Sequence, residues 1–139
     1  MRLLFDTNIV LDIALKREPF YKDSVTIFKN IDNKRTFGFV TATTITDIYY
    51  IARKDKGHLI AIEFISNLIQ FVDLIGIDKE IIIEALTTEL TDFEDSIQSV
   101  ASSYNDIDYI VTRNTKNFKD SRVKALTPIE FINLTRKKK

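Results

Sequence analysis

Four short segments dominate this chain: RLLF at 2–5, TFGFV at 36–40, VDLIGI at 72–77 and DYIVT at 108–112. Each is apolar, or rich in aromatic and β-branched residues, and each reads as a strand. The stretches between them are long enough for pairs of helices. Crossovers of that length place strands in parallel and put helices on both faces of the sheet. The expected fold class is therefore α/β, with a central, mostly parallel sheet. A fifth extended piece is expected around 123–126.

Helices are expected over 8–16, then from Pro19 at a first turn through SVTIFKNI, and over TTITDIYYIARK, HLIAIEFISNLIQF, 78–90 and 92–104. A last helix opens with Pro128 in its first turn. In TTITDIYYIARK the spacing of Ile45, Ile48, Tyr49 and Ala52 overrides a β-branched composition that favours a strand. Asp92 is the expected N-cap of its helix. Only three Gly and two Pro punctuate 139 residues, which suits regular elements with short connections. One domain over 1–135 is expected, followed by a solvated basic tail over 136–139.

Composition removes several function classes. There is no cysteine, hence no disulfide framework and no thiolate metal site. The lone His58 excludes a site built on two histidines of one chain. Twenty basic and twenty acidic residues give zero net charge, against a broad electrostatic coat for nucleic acid but compatible with a local basic path. Asp6 and Asp12 interrupt the apolar N-terminus, so a secretory signal is not expected. No stretch approaches the roughly 18 apolar residues of a membrane span. A cytoplasmic protein without membrane association is expected.

A carboxylate site for a hard cation stays open. Asp6 follows the first strand directly, at the sheet end where α/β proteins bind ligands. It serves equally well as a turn or capping residue. Asp95 lies one helical turn after Asp92, where acids also suit the helix dipole. Glu94 is expected to point away and be solvated. Asp47 sits at the edge of its helix's apolar stripe, where a solvated acid is the plainer reading. No one of these acids is specific by itself. Two carboxylates about 4 Å apart repel by roughly 4 kcal/mol at an effective dielectric near 20. A cluster of them calls for protons or a divalent cation.

Taken in order, DTNIVLDI, the acid within TTITDIYYIARK, TDFEDSIQSVA, DYIVTRNTKNF and LTPIEFI resemble the successive motifs of PIN domains, closest to bacterial VapC-type toxins. The resemblance spans nearly the whole chain. It implies a three-layer α/β/α sandwich, Mg²⁺- or Mn²⁺-dependent endoribonuclease activity and, for many relatives, an antitoxin partner. It carries the three metal-binding acids to Asp6, Asp47 and Asp95, and the fourth catalytic position to Asn114. Two residues depart from the commoner pattern: Asp47 stands where Glu is usual, and Asn114 where a fourth acid is usual. Three formal charges then replace four, which implies weaker binding of a second ion. Asp120 is a candidate substitute, and Asp12 and Asp92 are candidates for an outer shell.

Arg113 and Lys116 flank Asn114 and are the expected contacts for RNA phosphates. Arg53, Lys54 and Lys56 suit a helix C-terminus without further role. No aromatic platform for bases is apparent, although Tyr49 and Tyr50 cannot both face the core, and one is expected to cover a partner surface. Homodimerisation is common among lookalikes and is not readable from these residues. Two alternatives remain: a catalytically silent PIN-like module binding RNA or a protein partner, and a receiver- or phosphatase-like domain with Asp6 as phosphoryl acceptor. The latter lacks a matching lysine and has Asn8 where a second aspartate belongs.

Overall fold

The structure is a computed structural model and describes residues 1–31 and 36–137. In chain order the elements are β1 (Arg2–Phe5), α1 (Thr7–Ala14), α2 (Tyr21–Ile31), β2 (Phe37–Thr41), α3 (Ala42–Lys56), α4 (His58–Phe71), β3 (Val72–Ile75) and α5 (Lys79–Ala85). They continue with α6 (Phe93–Tyr104), β4 (Tyr109–Val111), a 3₁₀ turn (Thr115–Phe118), β5 (Ala125–Leu126) and α7 (Pro128–Lys137). The five strands form one sheet in the order β3-β2-β1-β4-β5, and every pairing is parallel.

Strand pleating sends alternate β1 residues to opposite faces. Leu4 stands level with Phe39 and Ile110, and these three pack with Ile81 and Ala85 of α5 and Ile97, Val100 and Ala101 of α6. Leu3 and Phe5 face the other way, into Ile9 and Val10 of α1, Ile27 of α2, Ile48 of α3, Leu68 of α4 and Phe131 of α7. The sheet is thus the middle layer of an α/β/α sandwich. Phe5 and Phe28 stack with centroids 4.7 Å apart.

Gly38, the second residue of β2, is required by close approach. A Cβ there would lie 2.7 Å from Ile31 Cδ1 and 2.8 Å from Phe5 Cε2. Gly38→Ala is expected to destabilise by about 1–3 kcal/mol through overpacking, read by urea unfolding. An unchanged midpoint would contradict that packing.

Three expected boundaries shift. Pro19 lies in a turn ahead of α2, which opens at Tyr21, whose N–H donates to the Arg17 carbonyl. Helix α5 stops at Ala85 and not near 90: the Thr87 and Thr88 N–H groups donate to the Glu84 and Ala85 carbonyls three residues back, a tightened turn that does not continue the helix. Helix α7 runs through Arg136 to Lys137, two residues into the expected tail, and 138–139 lie outside the described residues. In α3 the spacing holds: Ile48 and Ala52 are buried, and Ile45 and Tyr49 are half-buried.

The sheet's connectivity locates a crevice. From β1 the chain moves to β2 on one side, while β4 returns to β1's other edge. Where the direction of winding reverses, the loops beyond the strand carboxyl ends diverge. Asp6 leaves β1 at that point and Thr112–Asn114 leave β4 beside it, joined by the Asp6 N–H to the Val111 carbonyl at 2.9 Å.

Candidate metal centre

Asp6 is the N-cap of α1 and only 6% exposed. Its Oδ1 accepts from the Thr7 backbone N–H at 2.7 Å and from Gln98 Nε2 at 3.1 Å. Its Oδ2 accepts from the Thr112 hydroxyl at 2.7 Å. These donors come from α1, α6 and the end of β4, so the carboxylate has little freedom to rotate.

Helix α6 delivers three more acids. Asp92 caps it, accepting from the Asp95 N–H at 3.0 Å. Asp95 is 8% exposed, and its pKa is pushed up to about 7 by burial, then by the charges of Asp6 and Asp92. Glu94 is drawn inward: it accepts from the Thr7 hydroxyl at 2.9 Å and hydrogen-bonds the Asp47 carboxyl. Its pKa is pushed up to about 8, first by burial and then by Asp47. The expectation of a solvated Glu94 is therefore corrected. The first turn of α6 faces the crevice, so the acids at 92, 94 and 95 all border it.

Asp47 reaches the same place from α3. That helix is capped by Thr41, whose Oγ1 lies 3.3 Å from the Thr44 N–H it accepts. Hydroxyl contacts link Thr7 to Thr44 at 3.0 Å and Thr41 to Thr44 at 3.2 Å, tying the starts of α1 and α3 together. Asp47 lies one turn further along.

The result is a cleft of about 470 Å³ bordered by Asp6, Asp47, Asp92, Glu94 and Asp95, with Thr7, Asn8, Leu11, Ile51, Asn114 and Asn117 completing its wall. Asp6 raises the pKa of both Asp95 and Glu94, so it belongs to two carboxylate groups at once. Asp47 joins one group and Asp92 the other. Among the described residues no three such side chains surround a common point as a finished ligand cage. The donors nonetheless fit a hard divalent ion: all are oxygens, and burial together with neighbouring carboxylates raises the pKa of Asp95 and Glu94.

The sequence profile of the PIN domain matches residues 2–116. The chain belongs to the PIN-domain family. Solved PIN-like folds agree in architecture. VapBC2 of Rickettsia felis, bound to a promoter DNA fragment, superposes with a TM-score of 0.71 at 16% identity, over 91% of this chain and 98% of that one. A toxin–antitoxin complex of Klebsiella pneumoniae gives 0.68 at 20% identity, over 91% and 97%. The sarcin-ricin loop cleaving toxin VapC20 of Mycobacterium tuberculosis gives 0.62 at 9% identity, over 78% and 86%. No protein of curated function matches the chain by sequence.

Within this PIN domain, Asp6, Asp47, Asp95 and Asn114 all border one cleft. Arg113 does not. Its Nε lies 2.9 Å from Asp12 Oδ2 and its Cζ 4.0 Å from the centroid of the Phe20 ring. The guanidinium is engaged by these two partners, and Arg113 is not among the residues that border the cleft. Asp12 is wholly buried as its partner and does not border the cleft either. Burial raises its pKa even with Arg113 and Arg17 nearby. Asp120 is exposed and away from the cleft wall. Lys116 is exposed on the 3₁₀ turn, next to Asn117, which does border the cleft. Glu94 and Asn117 were not expected at the site. The signal for Glu94 was three acids within the four residues 92–95.

Proposed function

We propose that this PIN domain is a divalent-metal-dependent endoribonuclease that hydrolyses RNA phosphodiester bonds, and that it is the toxin of a type II toxin–antitoxin pair. The observation that supports the chemistry is the convergence of Asp6, Asp47, Glu94 and Asp95 on one cleft at the sheet's switch point. Asp6, Asp47 and Asp95 would hold Mg²⁺ or Mn²⁺, with Glu94 as a further oxygen donor. An ion of this kind supplies Lewis acidity and charge neutralisation at a phosphodiester. The chain's own groups do the rest. Asn114 and Asn117 present amides at the cleft wall to orient phosphate oxygens. Lys116, exposed and next to Asn117 in the chain, offers a cation for the flanking phosphate. Glu94, when it is not engaged by the ion, can hold or accept a proton beside the reacting phosphate.

The test is incubation with single-stranded and structured RNA in Mn²⁺, Mg²⁺ or EDTA. Cleavage with either ion and none in EDTA is the expected result. Intact RNA under every condition would overturn the proposal, and EDTA-insensitive cleavage would overturn its metal dependence. One observation favours a second reading, a silent module binding RNA or a protein: the Asp47–Glu94 hydrogen bond turns two of the acids towards each other. Calorimetric titration with Mn²⁺ separates the two, since a silent module gives no heat.

The solved Klebsiella pneumoniae structure is a toxin–antitoxin complex, which supports an antitoxin partner here. Helix α4 carries Leu59, Ile60, Ile62 and Ile69 on its exposed surface, Leu59 at 81% exposure. Apolar surface of that kind marks an interaction site. Tyr50 of α3 is exposed as well, so it is Tyr49 that turns partly inward. Co-purification with the product of an adjacent reading frame tests for an antitoxin, and light scattering of the chain alone tests for a homodimer. No helix of the described residues is long and apolar enough to cross a membrane. A cytoplasmic location is part of the proposal.

A further inference from the structure

We infer that Gln98 is a positioning residue for Asp6: by fixing Oδ1 it leaves Oδ2 as the oxygen open to the cleft. This role rests on the metal-site reading given above. Gln98 lies in the middle of α6 and is fully buried. Its Nε2 donates to Asp6 Oδ1 at 3.1 Å, alongside the Thr7 N–H. Oδ2 receives only the Thr112 hydroxyl. An ionised carboxylate has about four acceptor positions. Two on Oδ1 and one on Oδ2 are occupied, so the unfilled position is on Oδ2.

A purely structural part for Gln98 is at odds with its other end. Its Oε1 is buried and has no hydrogen-bond partner. A buried acceptor without a donor costs stability, and an apolar side chain of similar shape would avoid that cost. Its buried neighbours along the helix mix apolar residues, Ile97, Val100 and Ala101, with the serines Ser96, Ser99 and Ser102. An amide kept there at a stability cost, with its one donor contact on the acid shared by both carboxylate groups, is the mark of a functional constraint.

Gln98→Met keeps length and approximate volume and removes the donor. Two readouts decide the matter. The melting temperature without metal is expected to stay level or rise. The Mn²⁺ dissociation constant from calorimetry is expected to increase about 10-fold or more, in the range typical when a ligand loses its outer hydrogen-bond partner. Gln98→Leu repeats both measurements with a stiffer side chain, should the methionine pack poorly. A variant that melts clearly lower in both forms makes Gln98 structural and overturns the role. Unchanged Mn²⁺ affinity in a variant beside a wild type that binds the ion overturns it as well. A wild type that takes up no Mn²⁺ sinks the metal-site reading, and this role with it.

Discussion

Asp6→Asn is expected to reduce Mn²⁺-dependent RNA cleavage by more than about 100-fold, beyond the 10- to 100-fold typical of losing an outer partner of a metal ligand. The reason is geometric as well as electrostatic. Three groups converge on Asp6 and all three donate: the Thr7 N–H, Gln98 Nε2 and the Thr112 hydroxyl. An asparagine accepts through one oxygen and turns an NH₂ against a donor on the other side. The substitution also removes the charge that Asp95 and Glu94 both sense. The measurement is initial cleavage rate at saturating Mn²⁺, with circular dichroism to verify that the variant is folded. Equal rates for variant and wild type would remove the activity from this cleft.

The second large effect is a pH-dependent stability that the ion offsets most at high pH. Asp95 holds its proton to about 7 against an ordinary 3.8, and Glu94 to about 8 against an ordinary 4.5. Both native-state values are raised. Between the ordinary and the raised values the folded protein therefore binds more protons than the unfolded chain. Stability from these groups is complete below about 4 and is lost as pH rises through 7 to 8. Without metal, the melting temperature is expected to fall between pH 5 and pH 8. A divalent ion binds the deprotonated acids, so its stabilising effect grows over the same interval. At an ion concentration near 100 Kd and pH 8, a rise on the order of 5–10 °C is expected. At pH 5 protons compete and the rise is small. Differential scanning fluorimetry across pH with Mn²⁺ or EDTA reads both trends. A metal-free melting temperature that is flat or rising to pH 8, with a pH-independent effect of Mn²⁺, would refute this account.

The two effects share a cause, a cleft with more negative charge than its own cations relieve. Arg113 is the clearest sign. It stands next to Asn114 in the chain, yet its guanidinium serves Asp12 and the face of Phe20. That pair ties α1 to the segment after β4 and leaves the acidic wall uncompensated.

Much of this was legible in the residues. The strand RLLF ending at Asp6, the capping Asp92 and the helix through TTITDIYYIARK all follow from local rules of burial, spacing and hydrogen bonding. Asp6, Asp47 and Asp95 were identifiable as acids of one site only through the ordered resemblance to PIN domains. No local rule relates residues separated by most of the chain. Where a helix ends was less legible. Thr87 and Thr88 are compatible with continuing helix by sequence, and the i→i−3 backbone bonds that end α5 there have no local signature.

Direction was decided by the tertiary structure. Whether Glu94 meets solvent or the cleft depends on the rotation of α6 about its axis, which its packing through Ile97, Val100 and Ala101 against Leu4 and Ile110 determines. Whether Arg113 faces RNA or Asp12 depends on where α1 lies beside the end of β4. The sequence by itself determined which segments become strands and helices, because those choices are made by contacts a few residues apart. Only the parallel register of β1 with β4 and the packing of α6 decided which charges meet, because carboxylates interact through space and not along the chain.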